Sequence, residues 1–244
     1  MAVQFPLVGL AGERQRVLNA LRKPESLLVL GPAGSGKTRL LRSALESAGT
    51  EALYIPYLPV LHDLLAFLAS VLISESHPGF VQAAGDPRKW ASRQTSVHLR
   101  GLLWRVLEAH PRPLIVDGVY RSGFQAYRFF QRLYHLPGMA IIAAARDLVR
   151  LGALQRLFWD PRQAVHLPPL AQAEALRLFH LAVDRFQLRG LDLDDFGDRA
   201  LESAQGNPGQ IIEMCRLAAD PRYLSGRHVK FAPLRIDMMM KFLA

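Results

Sequence analysis

Apolar residues fall along this chain in two kinds of pattern. Short continuous runs, Leu27-Leu28-Val29-Leu30, Glu51 to Pro56, Pro113 to Asp117, Met139 to Ala145 and Ala164 to Leu167, read as strands buried on both faces. Between them lie segments of helical period: Thr38 to Glu46, Leu61 to Ile73, a stripe of Leu99, Leu102, Leu103 and Val106 that Thr95 is placed to cap, and Phe124 to Tyr134. Strands alternating with helices predict an α/β fold, a parallel sheet with helices on both faces. From Pro168 onward the pattern becomes mainly helical, over Glu174 to Phe186, Leu193 to Ser203 and Pro208 to Ala219, which predicts a small helical lid domain. The polar stretch Ser74 to Arg93, with Pro78 and Pro87, reads as a loop. After Arg222 two elements are open: a strand at Arg227 to Phe231 and a short helix from Ile236 to Leu243. The expected organisation is a sheet domain over 1–168, the lid over 169–220, and a basic C-terminal tail over 221–244.

The first strand and the helix after it flank Gly31-Pro32-Ala33-Gly34-Ser35-Gly36-Lys37-Thr38, which fits the phosphate-binding loop pattern at every fixed position. The glycines let the backbone curl so that its N–H groups point at phosphate oxygens, and the helix N-terminus adds the positive end of its dipole. Lys37 is placed to reach the β- and γ-phosphates, and Thr38 to offer its hydroxyl to Mg²⁺. The sequence thus predicts ATP and Mg²⁺ as ligands on a parallel P-loop NTPase sheet.

A metal carboxylate is needed as well. Asp117 ends an apolar strand, and parallel strands bring their C-terminal ends to one edge, where open α/β sheets bind ligands. Asp117 is therefore the second metal residue, holding the Mg²⁺ shell. Arg146 follows the strand that ends at Ala145 and belongs to the same edge, where a guanidinium can sense a γ-phosphate. Many such ATPases carry an acid directly after the metal aspartate to orient water; here that residue is Gly118. A general base contributes about 10²–10⁴-fold in rate, so slow hydrolysis is expected.

Charge adds a partner. The chain carries 30 Lys and Arg against 21 Asp and Glu, a net charge of +9. The excess gathers in arginines 112, 121, 128, 132, 146, 150, 156 and 162, in Arg88, Lys89 and Arg93, and in the tail at Arg222, Arg227, Lys230, Arg235 and Lys241. Such a surface attracts phosphate backbones. The one cysteine, Cys215, allows no intramolecular disulfide and reads as a small buried apolar residue. No segment reads as a signal peptide or a transmembrane span; the stretch from Tyr57 to Ile73 is read as a core helix. A cytoplasmic location is expected.

Taken together these residues resemble the AAA+ and STAND branch of P-loop ATPases, over about Pro6 to Ala219. Pro6-Leu7-Val8-Gly9, with the helix from Glu13 to Leu21, looks like the short adenine-contacting box. Gly31 to Thr38 is the Walker A loop, Leu114 to Asp117 looks like Walker B, and Ala143 to Arg146 looks like the STAND form of sensor 1. Leu167 to Leu170, with Glu174, looks like the start of the lid. Gly206-Asn207-Pro208 looks like the motif that closes over the nucleotide. The resemblance implies that Val8, Gly9 and Pro208 join the loop in binding nucleotide. The departures are Leu10 in place of arginine, Ala171 in place of a capping hydroxyl, Gly209 and Gln210 where a sensor-2 arginine is common, an arginine for the polar sensor 1, and Gly118 for the catalytic acid. They imply a nucleotide-controlled switch with slow turnover, partnered by nucleic acid, a second copy or another protein. Two alternatives stand beside it: a protein-directed signalling NTPase without nucleic acid, and a small-molecule kinase. The acids of the lid, Asp192, Asp194, Asp195 and Asp198 among them, weigh against the kinase by repelling phosphates.

Overall fold

The computed structural model describes residues 5–75 and 86–243. Five strands, β1 (Leu27–Leu30), β2 (Leu53–Pro56), β3 (Leu114–Val119), β4 (Ile141–Ala145) and β5 (Ala164–His166), form one wholly parallel sheet in the order β2-β3-β4-β1-β5. Every residue of β1 and β4 is buried. That accounts for their unbroken apolar runs, since a central parallel strand has no solvent face. The helices of this part are α1 (Ala11–Arg22), α2 (Lys37–Ala48), α3 (Leu61–Ser74), α4 (Pro87–Ser92), α5 (Ser96–Ala109), α6 (Phe124–Tyr134) and the short α7 (Leu148–Leu151). Thr95 caps α5 by accepting from the His98 amide at 3.2 Å. In α3 the residues Leu64, Leu65, Leu68 and Leu72 are fully buried, as a core helix requires.

The chain divides into two compact units. One holds Gly12–Gly31 and Leu41–His166, that is, the sheet and most of its helices. The other gathers Met1–Ala11, Pro32–Leu40 and Leu167–Ala244. It contains the phosphate-loop residues after Gly31, the helices α8 (Gln172–Arg185), α9 (Leu193–Ala204) and α10 (Pro208–Ala218), a hairpin of β6 (Leu224–Ser225) and β7 (His228–Val229), and α11 (Phe231–Leu243). Its own core is built on Leu178, Phe179, Phe196, Ile211 and Met214, together with Leu234 and Met238 of α11. Cys215 is wholly buried there, and burial pushes its thiol up to about 12. Among the described residues, no helix is long and apolar enough to cross a membrane.

Three expectations change. The loop expected over Ser74 to Arg93 contains the helix α4, nucleated by Pro87 at its first turn and by Asp86, whose carboxylate accepts from the amides of Arg88 and Lys89; residues 76–85 of that stretch lie outside the described ones. The strand expected at Arg227 to Phe231 shortens to β7, because the chain turns back at Gly226 to pair with β6. The C-terminal helix starts at Phe231 rather than Ile236, since Pro233 falls in its first turn, where proline is tolerated.

Within the lid unit α11 is tied to α10 by a buried charge. Glu213 is 6% exposed, and its carboxylate accepts from Arg216 at 2.7 and 3.0 Å and from Lys241 at 2.7 Å. Burial pushes its pKa up, but the bonds from Arg216 and Lys241 outweigh this and hold the carboxyl below its ordinary 4.5. A depressed folded pKa contributes stability that is complete above the ordinary value and is lost as pH falls through it. Glu213→Gln is expected to lower the unfolding free energy by about 2 kcal/mol at neutral pH. In urea denaturation this gap should narrow on acidification below 4.5; a gap that stays constant into acid would contradict the assignment.

Candidate nucleotide-binding site

The loop from Gly31 leaves β1 at the sheet edge where β4 also ends, with Leu30 in register with Ala145 and the Gly31 amide donating to the Ala145 carbonyl at 3.3 Å. Lys37 opens α2, and its ammonium arches back over the loop to donate to the Pro32 carbonyl at 2.8 Å and to Ser35 Oγ at 3.3 Å. Gly34 and Gly36 both have positive φ, +79° and +94°. Two such residues so close together curl the backbone into the concave form that receives anions.

The lid reaches this loop directly, through residues of the same compact unit. Asn207 caps α10 by accepting from the amides of Gly209 and Gln210 at 3.0 and 3.2 Å, and its Nδ2 donates to the Ala33 carbonyl at 2.8 Å. The Gly209 amide donates to the Gly34 carbonyl at 2.9 Å. The approach is so close that a Cβ on Gly209 would fall 2.6 Å from Gly34 Cα, and one on Gly34 2.5 Å from the Phe242 ring. Pro208 and Leu10 lie on the side of Gly36, and Gly9 lies against the Glu174 carboxylate. That carboxylate accepts from the Ala171 amide at 3.2 Å, so the acid half of the capping box forms without a hydroxyl at the cap. Val8 is buried in the lid core. A cavity of about 430 Å³ opens in this unit, lined among others by Pro32, Ser35, Pro168, Asn207, Pro208 and Arg235.

These features fit a nucleotide's phosphates. The lid bonds use loop carbonyls, a different set of groups from the amides that a phosphate would take. Within this unit Lys37 and Arg235 bring positive charge, and the hydroxyl of Thr38 is a hard oxygen donor of the kind Mg²⁺ takes.

Asp117 and Arg146 lie in the sheet unit, on the edge formed by the ends of β3 and β4. β3 does not stop at Asp117 as expected. It continues through Gly118 to Val119 with a register shift against β4 between Val116 and Val119. This irregularity turns on Gly118, whose φ is +75°. The sequence reading missed Tyr54. It lies on β2, next to β3, and its hydroxyl donates to Asp117 Oδ2 at 2.5 Å while the Arg42 guanidinium lies 5.4 Å from its ring centroid. Burial and the bond to the Asp117 carboxylate raise the phenol's pKa well above its ordinary 10, so it donates at any physiological pH. The signal for it was the tyrosine in an otherwise apolar strand. Leu10, Gly209, Arg235 and Phe242 were also not assigned to the site by the sequence reading, which named Asn207 only within the motif Gly206-Asn207-Pro208.

Sheet order and loop together define an α/β fold of the P-loop NTPase type, and the comparison with solved structures agrees. No protein-family model matches the chain, and no curated protein sequence does. Among solved structures, the Walker-type ATPase of Pyrococcus abyssi is similar at a TM-score of 0.57 and 18% identity, over 86% of this chain and 67% of that one. The Aeropyrum pernix Orc1 protein, solved in complex with DNA, is similar at 0.60 and 15%, over 96% of this chain and 65% of that one. A STAND protein with a tetratricopeptide-repeat sensor from Pyrococcus horikoshii is similar at 0.51 and 18%, over 98% of this chain and 33% of that one. The chain thus spans about two thirds of the first two proteins and one third of the other, and at these identities the likeness concerns the fold.

Two variants test the sheet edge. Gly118→Glu supplies the acid that the resemblance calls for and this chain lacks, but on a left-handed backbone that costs an L-residue about 1–2 kcal/mol. Lower stability in thermal denaturation without a faster ATPase rate is expected; a clear gain in rate would refute the reading. Tyr54→Phe removes one hydrogen bond to Asp117 and is expected to cost about 1 kcal/mol in urea denaturation, and an unchanged midpoint would show that the bond does not form.

Proposed function

We propose that this chain is an ATP-binding AAA+/STAND-like switch of the cytoplasm, with slow hydrolysis and a nucleic-acid partner. One observation carries the reading: the first turn of α10 is hydrogen-bonded to the backbone of the phosphate loop, through Asn207 to Ala33 and Gly209 to Gly34. A ligand that reshapes the loop therefore acts on the lid. It shifts the lid equilibrium by its difference in affinity for the two arrangements.

In this reading the amides of Gly31 to Thr38 and the Lys37 ammonium hold the phosphates. Val8, Gly9 and Pro208 flank the base, Thr38 and Asp117 hold Mg²⁺, and Arg146 answers to the terminal phosphate. When bound, Mg²⁺ neutralises charge on the phosphate oxygens. Tyr54 fixes the Asp117 carboxylate in orientation. Slow turnover follows from Gly118, which brings no base to water. ATP and ADP would then favour different lid positions, and assembly with a second copy or docking of a partner would read them out. The nucleic-acid partner rests on the net charge of +9 and its concentration in arginine. Support for that partner also comes from the similarity to Orc1, which was solved bound to DNA.

The test is nucleotide binding by a fluorescent ATP analogue, with the ATPase rate measured alongside, for wild type, Lys37→Ala and Asn207→Ala. Lys37→Ala is expected to lose at least about tenfold in affinity, the equivalent of one charge-assisted phosphate contact. Asn207→Ala is expected to keep binding but to lose the difference between ATP and ADP in protease protection of the lid. Equal affinity in wild type and Lys37→Ala would refute the site, and ATP turnover at tens per second would refute the switch in favour of a motor.

A further inference from the structure

The loops after β3 and β4 do more than carry Asp117 and Arg146. They are clipped into one surface. The Arg121 amide donates to the Arg150 carbonyl at 2.6 Å, and the Ala153 amide to the Ser122 carbonyl at 2.9 Å. Ser122 Oγ donates to the Leu151 carbonyl and accepts from the Leu154 amide, and Ser122 bridges Gly152. A Cβ on Gly152 would fall 2.6 Å from the Ser122 amide nitrogen, so the two loops touch backbone to backbone. On this clip stand two large aromatic side chains turned to solvent, Tyr120 at 41% and Phe124 at 49% exposure.

Arginines cluster around these rings. The Arg121 and Arg150 guanidinium carbons lie 5.1 and 5.6 Å from the Tyr120 centroid, and those of Arg128 and Arg156 lie 4.9 and 5.9 Å from Phe124. Phe124 is stacked on Tyr127 at 5.5 Å and 29°, which holds its ring in place. Of the four arginines only Arg150 has an acidic partner, Asp147 at 3.7 Å; among the described residues Arg121, Arg128 and Arg156 make no ion pair. An arginine surface arranged for stability would pair its charges. One that leaves three guanidiniums unpaired beside two exposed rings is complementary to a ligand that is itself anionic and aromatic.

We infer that this face binds single-stranded nucleic acid, with bases stacked on Tyr120 and Phe124 and phosphates on Arg121, Arg128, Arg150 and Arg156. A duplex offers phosphates but keeps its bases stacked inside, so the exposed rings select a single strand. This rests on the proposed nucleic-acid partner and names where and in what form it is held. The surface belongs to the same two loops that follow Asp117 and Arg146, so strand binding and the nucleotide edge share a backbone.

The test is fluorescence anisotropy of a labelled oligothymidine, and of a labelled duplex, with the full chain at low and moderate salt. Variants are the double substitution Tyr120→Ala with Phe124→Ala, the conservative pair Tyr120→Phe with Phe124→Tyr, the exposed charge reversal Arg128→Glu, and Arg177→Glu on α8 as a charge control. Wild type is expected to bind oligothymidine more tightly than duplex, with affinity falling as salt rises. The alanine pair and Arg128→Glu should each lose at least about tenfold, while the conservative pair and Arg177→Glu stay near wild type. If the alanine pair fails to fold, Arg128→Glu against Arg177→Glu decides. Wild-type binding that none of the variants weakens would overturn this surface and leave the nucleic-acid reading standing elsewhere on the chain. Tighter binding of duplex would overturn the single-strand assignment. Absence of binding to either probe at low salt would overturn the nucleic-acid reading itself.

Discussion

The backbone contact between Gly34 and Gly209 is the constraint on which the lid unit depends. Neither position has room for a side chain: a Cβ on Gly209 would fall 2.6 Å from Gly34 Cα, and one on Gly34 would meet the Phe242 ring and Asn207 Oδ1 at 2.5 and 2.6 Å. This closeness lets Asn207 serve two elements with one side chain, its oxygen capping α10 and its nitrogen holding the Ala33 carbonyl. The latch consists of neutral hydrogen bonds, each worth about 1 kcal/mol net. Its total is then about 2 kcal/mol, within the range that one ligand's differential affinity shifts. A latch of buried ion pairs would be too strong to respond; one with no direct bond would transmit nothing.

The lid is closed by the C-terminal helix, which is integral to it. Leu234 and Met238 enter the lid core, Lys241 joins Arg216 on the buried Glu213, Tyr223 of the preceding turn donates to Asp237, and Phe242 rests against Gly34. Charges that looked like a free basic tail are thus partly spent inside the unit. Arg235 faces the cavity beside Pro32 and Ser35. This matters for the place where a sensor-2 arginine is common, filled here by Gly209 and Gln210. Glycine at 209 is demanded by the approach to Gly34, and α11 supplies a guanidinium to the same cavity from another direction.

The fold class was legible because parallel strands buried on both faces leave unbroken apolar runs, and β1, β3 and β4 show them plainly. The loop at Gly31 to Thr38 was legible because its chemistry requires fixed residues at fixed spacing. Tyr54 was not, since its role arises from the register of β2 against β3 and no local pattern encodes register. Helix α4 was hidden because its six residues carry too little periodicity, and only the Asp86-Pro87 cap betrays it. Phe231 as the true start of α11 was hidden by Pro233, which reads as a breaker until it is seen to lie in a first turn. The contact of Asn207 and Gly209 with the loop joins residues far apart in sequence, and only the motif Gly206-Asn207-Pro208 hinted at it.

Gly118 joins the nucleotide edge to the arginine-aromatic face. In a fast ATPase of the family this chain resembles, the residue after the metal aspartate carries an acid in an extended strand. Here the strand bulges at that point, φ turns positive, and the chain is redirected so that Val119 returns to the core against Ala145 while Tyr120 emerges into solvent. Arg121 then adopts φ +47°, a conformation that costs a non-glycine residue about 1–2 kcal/mol, and its amide is held by the Arg150 carbonyl. The backbone path that displays Tyr120 and Arg121 is therefore one on which a side chain at 118 has room but sits on a strained, left-handed backbone. The glycine after Asp117 and the exposed ring beside unpaired guanidiniums belong to one bulge, and in the proposed function that bulge exchanges speed of hydrolysis for a binding face next to the nucleotide edge.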